Sequence, residues 1–309
     1  MKKSSRNNAA KPSRGRSGKP DFIRNYRPAE NTILMSFLTE TLKDKSRTTI
    51  KSLLAHRQVA INGRAITQFD TPVHPSDEIS INFDRPFNFF RHPQLRIVFE
   101  DEYLIVVDKA AGLLSMGTDT QKEKTAYRIL ADYVKRNDLR NKIFILHRLD
   151  RETSGLMMFA KTIGVQTKLQ GDWDNSVLER KYLAVVEGQP EKERGELSSY
   201  LAENSAMNVY STSPENGKLA ITRYQVMRTQ GRYSLMELEL LTGRKNQIRV
   251  HMTEFGTPVA GDKKYGAKTN PVGRLLLHAN KLNFIHPITK QNMLFETGIP
   301  AKFKIVMGM

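Results

Sequence analysis

Residues 147–155 read HRLDRETSG and stand between two apolar runs, residues 143–146 and 156–160. The runs have the composition of buried strands, so the polar stretch is predicted to be a loop at the rim of a sheet, where functional groups are often placed. Asp150 stands between Arg148 and Arg151, and nearby positive charge favours the ionised carboxylate. An ionised, partly buried aspartate suits a nucleophile or a base and is a poor proton donor.

Two other interpretations of the same residues remain open at this point. Asp150 and its arginines form a structural ion pair in the first, and the spacing alone favours that reading. The second pairs Asp150 with Glu152 as the two carboxylates of a glycosidase, which need different environments because one of them is held protonated. Arginines flank both carboxylates here, which suits two anions and disfavours this second reading.

Composition narrows the class of partner. The chain has 309 residues, 39% of them apolar, and a formal net charge of +17 at pH 7. A surplus of this size indicates a polyanionic partner such as nucleic acid. No apolar run approaches the ~20 residues of a membrane-spanning helix, and the N-terminus has no hydrophobic signal region, so we expect a soluble, cytoplasmic protein. The absence of cysteine excludes disulfides, thiolate metal sites and cysteine nucleophiles.

The chain is predicted to divide into four parts. Residues 1–30 are expected to be a disordered basic arm, because the first 20 residues carry seven Lys or Arg and no acidic residue. The arm either grips phosphates or only solubilises the chain. Residues 31–85 follow as a small unit, residues 86–94 as a linker, and residues 95–309 as the large domain.

Residues 31–85 carry two helix signals and a hairpin signal. Thr32 and Ser46 are placed to cap helices, and Asn62-Gly63 favours a tight turn between strands. Residues 79–83 alternate as a closing strand. On the second helix Arg47 and Lys51 are four residues apart and share a face, with Arg57 near its end.

The large domain is predicted to be α+β with a largely antiparallel sheet, because its strands follow one another with few helices between them. Strands are expected at residues 181–187, 220–228 and 233–241. Helices are expected at about 125–140 and over 242–256, where Gly256 ends the second one.

Six segments in order carry a resemblance to a known family: VVDKAAGLLS, HRLDRETSGLMMFAKT, RKYLAVVEG, LTGRKNQIRVHM, GDKKYG and LLLHANKLNF. Together they resemble the RluA-type pseudouridine synthases, the ribosomal large subunit type. Residues 31–85 resemble an S4 (αL-like) RNA-binding domain, which commonly precedes that catalytic domain. The resemblance implies isomerisation of uridine to pseudouridine in RNA, with no metal and no cofactor, on a nucleotide flipped out of its helix.

The resemblance also implies roles for individual residues. Asp150 would be the catalytic carboxylate, acting on the sugar or on its 2′ proton, and Arg249 its basic partner. Tyr182 would stack on the uracil, and its hydroxyl would assist proton removal at C5. Arg148 would fill the gap that the flipped base leaves. Contacts to substrate or RNA would come from Ile248, Arg151, Arg47, Lys51 and Arg57. Each of these side chains also has a purely structural interpretation, in the core or on a solvated face, and His147 is expected to be structural.

Lys245-Asn246 departs from the Thr-His usual in the family, which removes a titratable group. The expected partner is RNA, with 23S ribosomal RNA favoured over transfer RNA, and the protein is expected to be a monomer. A non-catalytic RNA-binding or ribosome-assembly protein, and a sugar-bond hydrolase, are the alternative classes.

Overall fold

In a computed structural model of the chain, residues 23–84, 86, 87, 90, 92–117, 125–136 and 138–309 are described, without the side chain of Arg64. The chain divides into two compact units, with the boundary between residues 89 and 90. Residues 1–22, most of the predicted basic arm, lie outside the described residues. Residues 23–30 differ from that prediction, because residues 23–26 form a strand of the first unit.

The described residues of the first unit form two small sheets and two helices. Its elements are β1 (Ile23–Tyr26), β2 (Thr32–Ile33), α1 (Leu34–Thr41), α2 (Arg47–Ala55), β3 (Val59–Ile61), β4 (Arg64–Ala65), β5 (Pro72–Val73) and β6 (Ile79–Asn82). The described strands are ordered β1-β6-β3-β4 in one sheet, and β2 pairs with β5 in the other. Apolar side chains of both helices, Leu34, Leu38, Ile50 and Leu54 among them, pack on Val59, Ile79 and Ile81. Membership of the S4 class stays a prediction.

Local signals were read correctly at two positions in this unit and wrongly at a third. Ser46 caps α2 by accepting a hydrogen bond from the Thr49 N–H, and Asn62-Gly63 makes the β3–β4 turn with positive φ at both residues. Thr32 does not cap α1, since the N-cap residue is Ile33 and has no side-chain bond to give. Thr32 pairs instead with Val73 between β2 and β5.

The strands described in the second unit form one large sheet. Its strands are β7 (Leu95–Glu100), β8 (Leu104–Lys109), β9 (Phe144–Ile145), β10 (Ser154–Ala160), β11 (Val177–Glu187), β12 (Arg194–Glu203), β13 (Val209–Thr212), β14 (Lys218–Gln230), β15 (Tyr233–Leu240), β16 (Leu277–Ile285) and β17 (Asn292–Glu296). Its α-helices are α3 (Ala126–Lys135), α4 (Ile163–Gly171), α5 (Trp173–Ser176), α6 (Gln247–Glu254) and α7 (Ala301–Val306). Among the described helices of the chain, none is both long and apolar enough to cross a bilayer.

The order of strands shows how the sheet is assembled. It runs β13-β12-β14-β15-β11-β16-β10-β8-β7, with β17 added to β16 and β9 to β10. Within the described strands of this sheet every pairing is antiparallel apart from β10 with β16. The sheet is therefore mixed and mostly antiparallel, which confirms the predicted α+β class of the large domain. It also makes β16 the strand that joins the β7-β8-β10 part to the β11–β15 part.

The β10–β16 pairing requires glycine at one position. Gly155 has φ +119°, and a Cβ there would lie 2.2 Å from the carbonyl oxygen of Ala279 on β16. Any other residue would push the strands apart or strain the backbone. Gly155 therefore lets the loop before β10 approach β16 closely.

The core covers both faces of the β8–β10 pair, which explains the unbroken apolar runs. Ile105, Val107 and Phe159 pack in the same cluster as the inward side chains of α3. The alternating residues on these strands, Leu104 and Met158 among them, pack with α4 on the opposite side.

The predicted helix over 242–256 is shorter than expected, because α6 begins at Gln247. The Gln247 side-chain oxygen accepts hydrogen bonds from the Thr242 hydroxyl and from the Arg244 N–H, at 2.7 and 3.0 Å, and these bonds fix residues 242–246 as a turn. Asn246, the N-cap residue, has φ +53° in the left-handed region, which asparagine tolerates better than most residues. The helix ends before Gly256, as predicted.

Candidate active site

A cavity of about 190 Å³ opens in the second unit between the β9–β10 loop, β11 and the start of α6. The loop contributes Arg148, Leu149, Asp150 and Thr153, and β11 contributes Tyr182. The remaining lining residues come from the end of β15, the turn before α6, α6 itself and β16: Leu240, Gly243, Arg244, Lys245, Asn246, Gln247, Ile248, Arg249 and Leu277. The fold thus gathers five of the six proposed catalytic or substrate-binding residues around one cavity.

Asp150 faces Arg249 across this cavity. The Asp150 Oδ2 atom lies 3.6 Å from the Arg249 Nη1 atom, and 27% of the aspartate side chain is exposed. The carboxylate is therefore reachable from the cavity, and its contact with the guanidinium is longer than a strong ionic hydrogen bond. This geometry suits an anion that has a positive neighbour and freedom to reach a substrate.

Asp262, at the bend before the short 3₁₀ turn of Lys263–Tyr265, binds Arg249 far more tightly. Its two oxygens accept bonds from Nε at 2.6 Å and Nη2 at 2.7 Å of Arg249, and its side chain is 1% exposed. Burial acts against the positive charge of Arg249, and the hydrogen bonds and charge of Asp262 outweigh it, so the pKa of Arg249 is raised. Arg249 is thus fixed by one carboxylate and presented to another.

Two further side chains complete the frame around Arg249. The Asn246 Oδ1 atom accepts a bond from Nη1 at 3.1 Å, and the Tyr265 ring lies under the guanidinium, 4.7 Å from its carbon. Asn246 in turn donates to the Tyr265 hydroxyl at 2.9 Å. The segment GDKKYG carries part of the family resemblance, but the sequence predicts no role for Asp262 or Tyr265. The signal available in the sequence was a lone aspartate in a basic segment.

The loop that carries Asp150 is held by its backbone. The Lys109 Nζ atom donates to the carbonyl oxygens of Asp150 and Arg151, both at 3.3 Å, and to that of Leu113 at 2.7 Å. The Ser115 hydroxyl donates to the Leu149 carbonyl at 2.6 Å. Burial lowers the pKa of Lys109 to about 8, and Asp150 opposes that shift. Lys109 thus holds the loop through its backbone carbonyls. It is absent from the cavity lining.

Tyr182 and Ile248 form the apolar part of the cavity wall. Their exposed fractions are 8% and 4%, and both belong to the main core cluster. Burial raises the pKa of the Tyr182 hydroxyl, so this phenol is neutral at physiological pH. A planar ring beside an aliphatic side chain suits contact with the faces of a flat heterocycle.

The two arginines that flank Asp150 are placed differently from each other. Arg148 is exposed and lines the cavity. Arg151 is exposed as well, but its Nε atom donates to the Gly112 carbonyl at 3.2 Å, and it lies outside the cavity lining. The positive group found within 4 Å of the Asp150 carboxylate, among the described side chains, belongs to Arg249.

His147 is structural, as expected. Its Nε2 atom accepts a hydrogen bond from the Met158 N–H at 3.1 Å, which ties the loop to β10. Burial, assisted by Arg180, lowers the pKa of His147 to about 3 and keeps the ring neutral. Within the described ranges, no three His, Asp or Glu side chains are grouped so as to hold a metal ion.

Arg47, Lys51 and Arg57 belong to the first unit. Arg47 and Lys51 are exposed on α2, at the spacing that places them on one face. Arg57 lies past the helix end with φ +56°, and its carbonyl accepts a bond from the Phe87 N–H at 2.8 Å. Arg57 is therefore part of the turn after α2 rather than of its helical face.

Comparison with known proteins identifies the family to which the chain is similar. The profile of the RNA pseudouridylate synthase family matches residues 103–254, which include Asp150, Tyr182 and Arg249. The uncharacterized RNA pseudouridine synthase YhcT of Bacillus subtilis is 31% identical over 276 residues, covering 88% of this chain and 91% of the relative. The ribosomal large subunit pseudouridine synthase D of Nitrosomonas europaea is 31% identical over 277 residues, covering 85% and 80%.

Solved structures are similar in fold. Human RNA pseudouridylate synthase domain containing 4 superposes with a TM-score of 0.56 at 24% identity, over 67% of this chain and 90% of that one. Human RNA pseudouridylate synthase domain containing 1 gives 0.53 at 23% identity, over 68% and 86%.

Proposed function

The chain belongs to the RNA pseudouridine synthases, isomerases that convert uridine in RNA to pseudouridine, and we propose that Asp150 is its catalytic carboxylate. The observation that carries this proposal is the placement of Asp150 in the cavity, with Arg249 beside it at 3.6 Å. The target uridine would occupy the cavity with its sugar toward Asp150 and its base against Tyr182 and Ile248.

The reaction needs an anion at the sugar and mobile protons at the base. The bond between C1′ and N1 breaks, the uracil turns, C5 bonds to C1′, the C5 hydrogen leaves as a proton, and N1 gains a proton, with no net oxidation or reduction. Asp150 would either attack C1′ or remove the 2′ proton, and both steps require the carboxylate. Arg249 would stabilise that charge and aim it, while the long 3.6 Å contact leaves the carboxylate free to reach the sugar.

Tyr182 and Arg148 would act on the nucleobases. The Tyr182 ring would hold the uracil while it turns, and its neutral hydroxyl is suited to assist proton transfer at C5. A uridine within a helix cannot reach the cavity, so it must be flipped out. Arg148, exposed at the cavity rim, would fill the gap left behind and stack its guanidinium plane on the neighbouring bases. We propose Arg151 as a contact to the RNA backbone outside the cavity.

Large-subunit ribosomal RNA is the proposed substrate, acted on by a monomer. The net charge of +17 favours a large polyanion, and relatives from Nitrosomonas europaea and Pasteurella multocida carry the name ribosomal large subunit pseudouridine synthase D. The first unit would add affinity through Arg47, Lys51 and Arg57 as an S4-like module. Mapping pseudouridine in cellular RNA with and without this gene tests the choice of RNA.

The test of the chemistry is Asp150→Asn in the full-length chain. We expect loss of pseudouridine formation with RNA affinity retained, measured as release of tritium from RNA labelled at uracil C5 and as binding of the same RNA. Glu152→Gln is the matched control, since Glu152 lies two residues away, is exposed and lies outside the cavity lining. Full activity in Asp150→Asn would refute the assignment.

A further inference from the structure

A groove of about 630 Å³ adjoins the cavity. Gly243, Arg244 and Lys245 line both depressions, so the groove begins where the cavity ends. Its other walls come from the end of β12, from β13 and from the turn before β14. A nucleotide in the cavity remains linked to the rest of its strand by phosphodiesters on both sides. The strand must therefore leave through a surface that is continuous with the cavity.

The charges of this groove are arranged around one ion pair. Lys218, Arg244 and Lys245 line it together with Glu203 and Glu215. The Lys245 ammonium is paired with the Glu203 carboxylate, and 38% and 40% of the two side chains are exposed. Arg244 is anchored next to this pair, because its Nε atom donates to the Leu219 carbonyl at 3.0 Å. Arg244 and Lys245 thus lie at the junction with the cavity, and Lys245 is paired with the Glu203 carboxylate.

We propose that this groove binds the phosphate of a nucleotide next to the target uridine, and that Lys245 is its ligand, exchanging Glu203 for the phosphate when RNA enters. An exposed ion pair contributes little free energy, so a phosphate can displace the Glu203 carboxylate from Lys245. Binding of the phosphate also releases counterions from the RNA, which favours the exchange. This inference rests on the proposed function for the identity of the strand in the cavity.

The exchange is tested with full-length variants and a fluorescein-labelled single-stranded oligouridine, titrated over a range of salt concentrations. Lys245→Ala should weaken binding and reduce the slope of log affinity against log salt by about 1. Glu203→Gln should strengthen binding by about twofold to fivefold, because Lys245 then needs no exchange. When Glu203→Gln is combined with Lys245→Ala, it should no longer strengthen oligouridine binding appreciably, because the gain in affinity depends on Lys245.

Arg223→Gln is the matched control, because Arg223 and Glu196 form an exposed ion pair that borders neither the cavity nor the groove. An unchanged affinity and slope in Lys245→Ala, absence of measurable oligouridine binding, or additive effects in the double variant would overturn the proposal. Failure of this proposal can be distinguished from failure of the proposed function. Pseudouridine formation with no dependence of binding on Lys245 defeats the groove alone, and loss of the activity assignment leaves the binding result to stand.

Discussion

Asp262→Asn tests the frame around Arg249. The substitution removes the charge that fixes the guanidinium at 2.6 and 2.7 Å in a place where the two side chains are 1% and 12% exposed. Breaking a buried ion pair by removing one partner costs about 3–5 kcal/mol of unfolding free energy. The lower limit applies here, because Asp150 remains 3.6 Å from the same guanidinium. For a unit of this size, a loss of about 3 kcal/mol lowers Tm by about 6–12 °C.

The same substitution should lower kcat and leave KM for RNA unchanged. Arg249 loses its fixed orientation, and misplacement of this proposed partner of Asp150 should cost about 10- to 100-fold in rate. Asp262 does not line the cavity, so binding of RNA is unaffected. The assay is tritium release at saturating and limiting RNA, together with thermal denaturation.

Tyr265→Phe is the control for this prediction. It keeps the ring under the guanidinium and removes the hydroxyl that accepts bonds from Asn246 and from the Val209 N–H, so both effects should be smaller than in Asp262→Asn. A Tm within about 2 °C of wild type together with an unchanged kcat in Asp262→Asn would show that Arg249 does not depend on this carboxylate.

Two further predictions concern stability. Burial lowers the pKa of His147 to about 3, from 6.5 when exposed, so the unfolded chain binds more protons between these values. The unfolding free energy should therefore fall as pH drops from 6.5 towards 3, and His147→Gln should flatten that fall in urea titrations. Gly155→Ala should destabilise by several kcal/mol or prevent folding, because its Cβ would meet the Ala279 carbonyl at 2.2 Å. Gly164→Ala, which meets nothing within 4 Å, should be neutral or stabilising in the same thermal melts, and equal Tm values for the two variants would contradict the steric argument.

Features fixed by neighbouring residues could be predicted from the sequence. The Ser46 cap and the Asn62-Gly63 turn need only a few adjacent residues, and both are present. The α+β class followed from strand patterns that persist over many residues. The convergence of Asp150, Tyr182 and Arg249 came from the family resemblance, since no local rule links positions so far apart along the chain.

Features decided by distant partners were missed. The Thr32 hydroxyl could cap a helix, but the Thr32 backbone pairs with Val73 in a strand. Positive charge from the arginines beside Asp150 was expected to act on its carboxylate, yet the Arg151 guanidinium contacts the Gly112 carbonyl. Asp262, which fixes Arg249, is 13 residues along the chain from it, and nothing in the spacing shows that their side chains meet.

The position of β16 between β10 and β11 has a consequence for synthesis on the ribosome. The parts of the sheet that carry Asp150 and Tyr182 emerge early, but residues 277–285, which lie between them, emerge much later. A nascent chain can therefore build each part by itself while the wall between them is still missing. Contacts of such long sequence separation are slow to form, so we expect the cavity to be completed late in folding.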